Sequence, residues 1–313
     1  MIEILLALAP VFLLIAGGNL IRRNGLLPAD FWAGAEKLVY WGLFPCLLFR
    51  KAALAPLDAL EPGPLVITLV GGIAVAGIVV LALKPWLRLS DPSLGSVFQA
   101  AIRMNVYIGF AAASALGGPH GQALAALCAA IMVPAVNAFS IVVLLGLHGG
   151  AKGKEARPRG PKLWLDVLRG VVTHQLILAI VLGLGVNIAG IGIPPVVDGL
   201  TEILSSGALP LALLTVGAGL QLRALRSIGR AMVTGIIAKL VVQPLAAYGI
   251  AASLGLSGDA LLVALIFAAL PCSPSGYHMA RQMGGDGPLI AGLITAQTFL
   301  AAILLPVVIL LVR

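Results

Sequence analysis

Apolar runs of about 20 residues recur from one end of this chain to the other, and no other feature constrains its fold as tightly. A helix crossing the hydrocarbon core of a bilayer needs about 20 apolar residues. Ten runs meet that need, over roughly 2–21, 31–50, 64–83, 93–115, 121–147, 164–189, 198–220, 229–252, 259–281 and 288–312. In lipid every backbone N–H and C=O must be satisfied inside the protein, so the runs are expected to be helices. Composition agrees: 60% of the 313 residues are hydrophobic and 10% are charged, against about 25% charged in a soluble domain. The expected fold class is an all-α integral membrane protein with ten transmembrane helices. The first run, Ile2 to Ile21, has no basic segment before it and no small-residue cleavage site, so it reads as a retained span.

One polar connection is long: His148 to Lys162, HGGAKGKEARPRGPK. It divides the chain into a first five-helix half (1–147), a basic linker (148–163) and a second five-helix half (164–313). The basic residues fix the expected orientation. Fourteen of the 20 lysines and arginines fall after odd-numbered spans: Arg22, Arg23, Lys84, Arg88, Lys152, Lys154, Arg157, Arg159, Lys162, Arg169, Arg223, Arg226, Arg230 and Arg281. That side, with the central loop, is expected to be cytoplasmic and both termini periplasmic, in the inner membrane of a bacterial cell. The net charge of +8 is thereby assigned to short loops against a lipid bilayer and does not point to nucleic acid.

The halves repeat. Gly42 and Pro45 (GLFP) match Gly207 and Pro210 (GALP) at an offset of 165, and Gly17-x-Asn19 matches Gly185-x-Asn187 at 168. Gly109-Phe110 and Gly117-Gly118 match Gly276-Tyr277 and Gly284-Gly285 at 167. With five spans in each half, the halves must run with opposite topology, giving inverted repeats.

The ninth run, LIFAALPCSPSGYHMARQMGGD from Leu265 to Asp286, carries Pro271, Pro274 and Gly276 where a spanning helix should be most regular. Proline removes a donor and clashes with the preceding turn, so this helix is expected to stop, run extended and restart. Such a break survives at membrane depth only where protein or a water-filled cavity satisfies the freed groups, and paired breaks in two halves point to a transporter. The repeat partner is span 4, VFQAAIRMNVYIGFAAASALGG, with Gln99, Arg103, Asn105, Tyr107 and Gly109 in an apolar setting. It has no proline, so its break is expected around Asn105 and Gly109. Half-helix N-termini facing one another across the two breaks would favour an anion.

Arg103 is costly so deep in a span. It faces an anionic substrate, gates the cytoplasmic path, or bonds structurally to loop carbonyls. Asn105 suits a carboxylate contact or a helix cap; Ser273 and Ser275, flanking Pro274, either line the site or bond back to their own backbone. Tyr107, Tyr277, His278 and Asn137 are candidates for the same lining, with packing as the alternative. Glu36 and Glu202, placed alike before Pro45 and Pro210, are candidates for proton or sodium coupling or for interfacial ion pairs. Lys239 in span 8 calls for a partner, a bond to an unwound segment being one. Cys46, Cys128 and Cys272 sit in apolar runs with no disulfide or metal spacing. The histidines, His120, His148, His174 and His278, are scattered, with no HExxH or GxSxG, so no enzyme is indicated and no cofactor. No ring of charges suggests a channel, and no soluble output domain suggests a sensor.

Four stretches resemble the auxin efflux carrier family: GGNLIRRNGLLPADFWAGAEKLVYWGLFPCLLF (17–49), Asn105 and Gly109 with Gly117-Gly118, LSSGALPLALLTVGAGL (204–220), and the region from Pro271 through MGGDGPLIAGLITAQTFLAAILLPVVILL. The resemblance implies ten helices in inverted five-helix repeats, and interrupted, crossing helices 4 and 9 in a transport domain that moves against a scaffold domain in an elevator mechanism. It also implies a small organic anion as substrate, auxin-like or malate- or malonate-like, and a homodimer formed through scaffold helices. By the same resemblance Asn105 would contact the substrate carboxylate and Pro271 would mark the crossover. The sequence departs from the family pattern after Gly109, where Phe110 and Ala111 replace a proline two residues on. The alternative is a sodium-coupled symporter of the bile-acid type, a different family of the same broad architecture, which would place side-chain sodium ligands near both breaks.

Overall fold

The computed structural model describes residues 2–55, 62–148, 175–226 and 229–312, and every regular element among them is helical. The basic linker expected over 148–163 lies beyond His148, outside the described residues, as do Asp166, Arg169 and His174 at the start of the sixth run. Among the described residues, six helical stretches are long and apolar enough to cross a membrane: Ile2–Arg23, Pro62–Ala82, Asp91–Leu144, Pro195–Gly219, Arg230–Ser253 and Gly287–Val312, with Gln175–Ile188 and Gly258–Ala268 shorter and also apolar. The chain divides into two bodies.

The first body comprises Met1–Glu61, Tyr107–Ala130 and Val172–Leu220. Its helices are α1 (Ile2–Arg23), α2 (Ala29–Leu38), α3 (Phe44–Ala53), the first part of α7 (Val106–His148), α8 (Gln175–Ile188) and α9 (Pro195–Gly219). A π-helical turn over Val39–Leu43 joins α2 to α3. Pro45 follows it, and the wider turn accommodates a residue that has no N–H to give and whose ring crowds the preceding carbonyl. Pro210, its sequence match, sits in unbroken helix. The helices approach at glycines. A Cβ at Gly18 would fall on the Leu214 carbonyl, one at Gly217 on the Ile15 carbonyl, and one at Gly183 on the Phe49 carbonyl, so α1 packs on α9, and α8 on α3, backbone to backbone. In lipid, where no hydrophobic force draws apolar helices together, such close approach is a main source of association.

Two asparagines secure these contacts. Asn19 Nδ2 donates to the carbonyls of Gly217 (3.1 Å) and Leu220 (3.5 Å) at the end of α9. Asn187 Nδ2 donates to those of Ala52 (3.2 Å), Ala53 (2.9 Å) and Ala55 (2.8 Å) at the end of α3. The last carbonyls of a helix have no partner within it, and each amide supplies one from a neighbouring helix.

A straight helix over Asp91–Leu144 would extend about 80 Å, far more than the roughly 30 Å of a hydrocarbon core. The chain turns back at Gly118, whose φ of 52° and ψ of −138° interrupt α7. That backbone conformation is open to glycine and not to residues with a Cβ. The returning arm packs on the first, with Gly121 against the Ala113 carbonyl and Gln122 Nε2 donating to Ser114 Oγ at 2.5 Å. The loop expected between spans 4 and 5 is thus reduced to one residue.

The second body comprises Pro62–Val106, Ile131–Val171 and Gln221–Arg313. It holds α4 (Pro62–Ala82), α5 (Lys84–Leu87), α6 (Asp91–Ile102), the end of α7, a 3₁₀ turn (Leu222–Arg226), α10 (Arg230–Ile237), α11 (Gln243–Ser253), α12 (Gly258–Ala268), α13 (Ser275–Gln282) and α14 (Gly287–Val312). A second π turn, Ala238–Val242, joins α10 to α11 ahead of Pro244. Asp286 ties the start of α14 to the start of α6. Its Oδ1 accepts from the Leu289 N–H (3.0 Å), its Oδ2 from Ser93 Oγ (3.1 Å), and its own N–H donates to Ser96 Oγ (2.8 Å).

Candidate functional site

Two helical interruptions meet in the second body. The first spans Arg103 to Asn105, between α6 and α7; the second covers 269–274, between α12 and α13. The proline-bearing segment breaks as the sequence predicts. The span 4 break falls earlier than expected: Arg103 is already extended, with φ −75° and ψ 146°, Asn105 is the last non-helical residue, and Gly109 lies inside α7. Nothing in Ile102-Arg103-Met104-Asn105 forbids a helix, so this break is held by tertiary bonds.

Those bonds can be traced. The Asn105 N–H donates to the Pro271 carbonyl at 2.8 Å, joining one interruption to the other. Gln297, buried in α14, donates from Nε2 to the carbonyls of Ala100 (3.2 Å) and Gly235 (3.0 Å), and its Oε1 accepts from the Cys272 N–H (2.9 Å). One amide therefore satisfies a carbonyl near the end of α6, a donor in the second interruption and a carbonyl of α10. Unmet, the Ala100 carbonyl and the Cys272 N–H would each cost about 1–3 kcal/mol in a buried setting; the Gly235 carbonyl also accepts from the Ala238 N–H.

Arg103 occupies the junction, 6% exposed. Its Nε donates to Gln99 Oε1 (2.9 Å), Nη1 to Ser275 Oγ (3.1 Å), and Nη2 to Asn137 Oδ1 (3.0 Å) and Met279 Sδ (2.8 Å). These four acceptors are uncharged. Gly276 permits the approach, since a Cβ there would stand 3.2 Å from Arg103 Cδ. Ser275 opens α13, so the guanidinium lies at the positive end of a helix dipole. Two positive features converging on one buried point favour an anion there. Ser273 Oγ lies 2.8 Å from Ser275 Oγ and accepts from the Ser275 N–H at 3.2 Å, so its local bond shapes the turn that presents Ser275.

Arg103, Asn105, Asn137, Pro271, Ser273 and Ser275 thus come together within one body. Tyr277 belongs to the same body, where its hydroxyl accepts from Arg281 Nη1 at 3.3 Å and its ring meets His278 edge-on. Tyr107 and Gly109 belong to the first body, Tyr107 edge-on to Phe44 with ring centroids 4.6 Å apart. Glu36 is half-buried on α2. Glu202, 65% exposed, stands 3.6 Å from Arg50, which also binds Asp198 at 2.8 Å. That geometry is an ion pair with Arg50.

Three participants were not singled out from the sequence as site residues. Gln99 sits four residues before Arg103, on the same helical face. Gln297 is the one amide in an otherwise largely apolar helix, flanked by Thr295 and Thr298, and a buried amide in lipid is itself a signal. Met279 carried no signal, because a methionine in an apolar run reads as packing.

A chain whose described elements are all helical, several of them long and apolar enough to cross a membrane, with two helical segments interrupted and joined at their breaks around a buried arginine, is a multi-pass membrane protein of the transporter class. It belongs to the auxin efflux carrier family: the profile of that family, described as membrane transport protein (Mem_trans), matches residues 3–309. Among curated relatives, the chain is 27% identical to a "Putative malonate transporter" of Rhizobium meliloti, over 91% of this chain and 88% of that one. It is 26% identical to an "Uncharacterized transporter" of Methanothermobacter thermautotrophicus, over 95% and 94% of the respective chains.

Proposed function

We propose that this protein is a secondary transporter that carries a small organic anion, a mono- or dicarboxylate, across the cell membrane by alternating access of an elevator type. The carrying observation is Arg103, buried at the junction of two interrupted helices, bonded to Gln99, Ser275 and Asn137 and set at the N-terminus of α13. A carboxylate bound there gains the guanidinium fork, the α13 dipole and the Ser275 hydroxyl together. Asn105 completes the polar lining. The second body, which holds these residues, is the transport domain, and the first is the scaffold through which two copies pair. The malonate named for the Rhizobium relative is a dicarboxylate of suitable size.

The same reading takes the chain as ten spans in two inverted repeats, with both termini periplasmic. Asn19 and Asn187 support it. They match in sequence at an offset of 168, and their acceptors, Gly217 and Leu220 against Ala52 and Ala55, match at an offset of 165 in the opposite order of halves. A two-fold relation between the halves requires that exchange.

The test is a solute screen by thermal shift on purified protein, followed by uptake into proteoliposomes. Dicarboxylates are expected to raise the unfolding midpoint of the wild type. Arg103→Ala and Asn105→Ala are expected to remove both that gain and uptake while the protein still inserts and stays monodisperse. Normal transport by both variants, or stabilisation by neutral or cationic solutes alone, would overturn the reading, and a strict requirement for sodium would favour the bile-acid type of symport.

A further inference from the structure

Lys239 has no part in the mechanism so far. It lies on the π turn Ala238–Val242 and has no exposed surface, the only fully buried lysine among the described residues. Its Nζ donates to Gln243 Oε1 at 2.6 Å, the one hydrogen bond it makes among them. The Gln243 Nε2 is buried with no partner. Taking an ammonium out of water costs several kcal/mol, and a neutral amide returns only part of that. A leucine or methionine would fill the same volume without the cost.

The position of this charge gives it a use. Cys272, inside the second interruption, lies beside Arg103: a Cβ at Gly276 would stand 3.1 Å from the Cys272 Sγ and 3.2 Å from Arg103 Cδ. Gln297 bonds the Gly235 carbonyl, one turn before Lys239, to the Cys272 N–H and the Ala100 carbonyl. The turn bearing Lys239 is therefore fastened to both interruptions through a single side chain. A dianion at Arg103 alone would keep one uncompensated negative charge in a low-dielectric site; a second fixed cation cancels it.

We propose that Lys239 is a resident counter-cation of the anion site, compensating a dianionic substrate jointly with Arg103 so that no dissolved cation need cross with it. The inference rests on the anion-carrier reading above and goes beyond it in charge stoichiometry. The site should discriminate dianions from monoanions, and sodium should be dispensable.

The experiment compares sodium malonate with choline malonate, and malonate with acetate, by the thermal shift of the full-length protein. The wild type is expected to respond equally to both malonate salts. Lys239→Met is expected to fold with an unchanged or higher midpoint without ligand. Its apparent affinity for malonate in choline medium should fall about tenfold or more, less for acetate, with partial recovery on adding methylammonium chloride. Gln243→Glu, which sets a carboxylate against Nζ and cancels the charge without emptying the space, should reproduce the loss; Lys239→Arg, which keeps the charge, should largely retain binding. Wild-type affinity for malonate in both Lys239→Met and Gln243→Glu would overturn the inference and leave the anion reading standing, as would a wild type that binds malonate only with sodium. A wild type indifferent to malonate, succinate and acetate would instead overturn the anion reading, and this inference with it.

Discussion

The backbone N–H of Asn105 donates to the carbonyl of Pro271 at 2.8 Å, so the interruption of one helix is the hydrogen-bond partner of the interruption of another. Neither break needs water to satisfy those two groups, which explains how irregular backbone persists in an otherwise apolar chain. Pro271→Ala would restore a donor and relax the backbone toward helix by about 3 kcal/mol of local preference. On the proposed anion-carrier function, dicarboxylate uptake into proteoliposomes should fall at least about tenfold, with insertion and monodispersity retained. Wild-type uptake by this variant would show that the proline is not needed to hold the crossover.

The geometry of Arg103, beyond its charge, should matter. Its Nε, Nη1 and Nη2 serve separate acceptors, which a lysine cannot reproduce. On the proposed anion-carrier function, Arg103→Lys is expected to weaken stabilisation by a dicarboxylate such as malonate by about tenfold or more. Gln99→Glu is expected to place a carboxylate on Nε, leave the unliganded protein at least as stable, and abolish the malonate response, because the internal carboxylate takes the position of a competitor. The two midpoints, with and without malonate, check both expectations.

Asn19 and Asn187 should be about equally important to the first body. Each amide serves carbonyls at the end of a neighbouring helix. Replacing either by alanine is expected to cost about 1–3 kcal/mol, read as a lower unfolding midpoint in detergent. A large loss from one and none from the other would count against a two-fold relation between the halves.

The glycine contacts of α1 with α9 leave no room for a side chain. Gly217→Val would drive its methyl groups into the Ile15 backbone, which cannot yield as a flexible side chain can. A destabilisation of about 1–3 kcal/mol or more is expected, measured by thermal unfolding. Gly207→Ala, with only Leu43 Cδ1 at 4.0 Å from the added carbon, should be nearly neutral.

Surface ion pairs should contribute little. Arg50 and Asp198 are 2.8 Å apart, with the aspartate side chain 37% exposed, and such pairs are worth up to about 1 kcal/mol. Asp198→Asn should lower the midpoint slightly at low salt and not at high salt. Glu202→Gln is expected to leave the pH profile of uptake unchanged; a shifted profile would identify Glu202 as a coupling group.

The helical class, the presence of several membrane-crossing apolar helices and the break at Pro271 were legible in the sequence, because they follow from local chemistry. Twenty apolar residues fit a bilayer, and proline lacks a donor wherever it stands. Arg103 and Asn105 were legible as anomalies, polar groups where lipid tolerates few. Their partners were not. The π turns before Pro45 and Pro244, the one-residue reversal at Gly118 and the three-way bond of Gln297 depend on what lies alongside in space.

What the chain's sequence determined by itself is a multi-pass helical membrane protein with one unavoidable interruption and a costly buried arginine, since hydropathy and proline act over a few residues. Only the tertiary structure decided where span 4 breaks and what Arg103 touches. Ile102 to Asn105 could continue a helix; they leave it because Gln297 holds the Ala100 carbonyl and Pro271 accepts from Asn105. A backbone group released from one helix is retained in lipid only when another segment arrives to bind it.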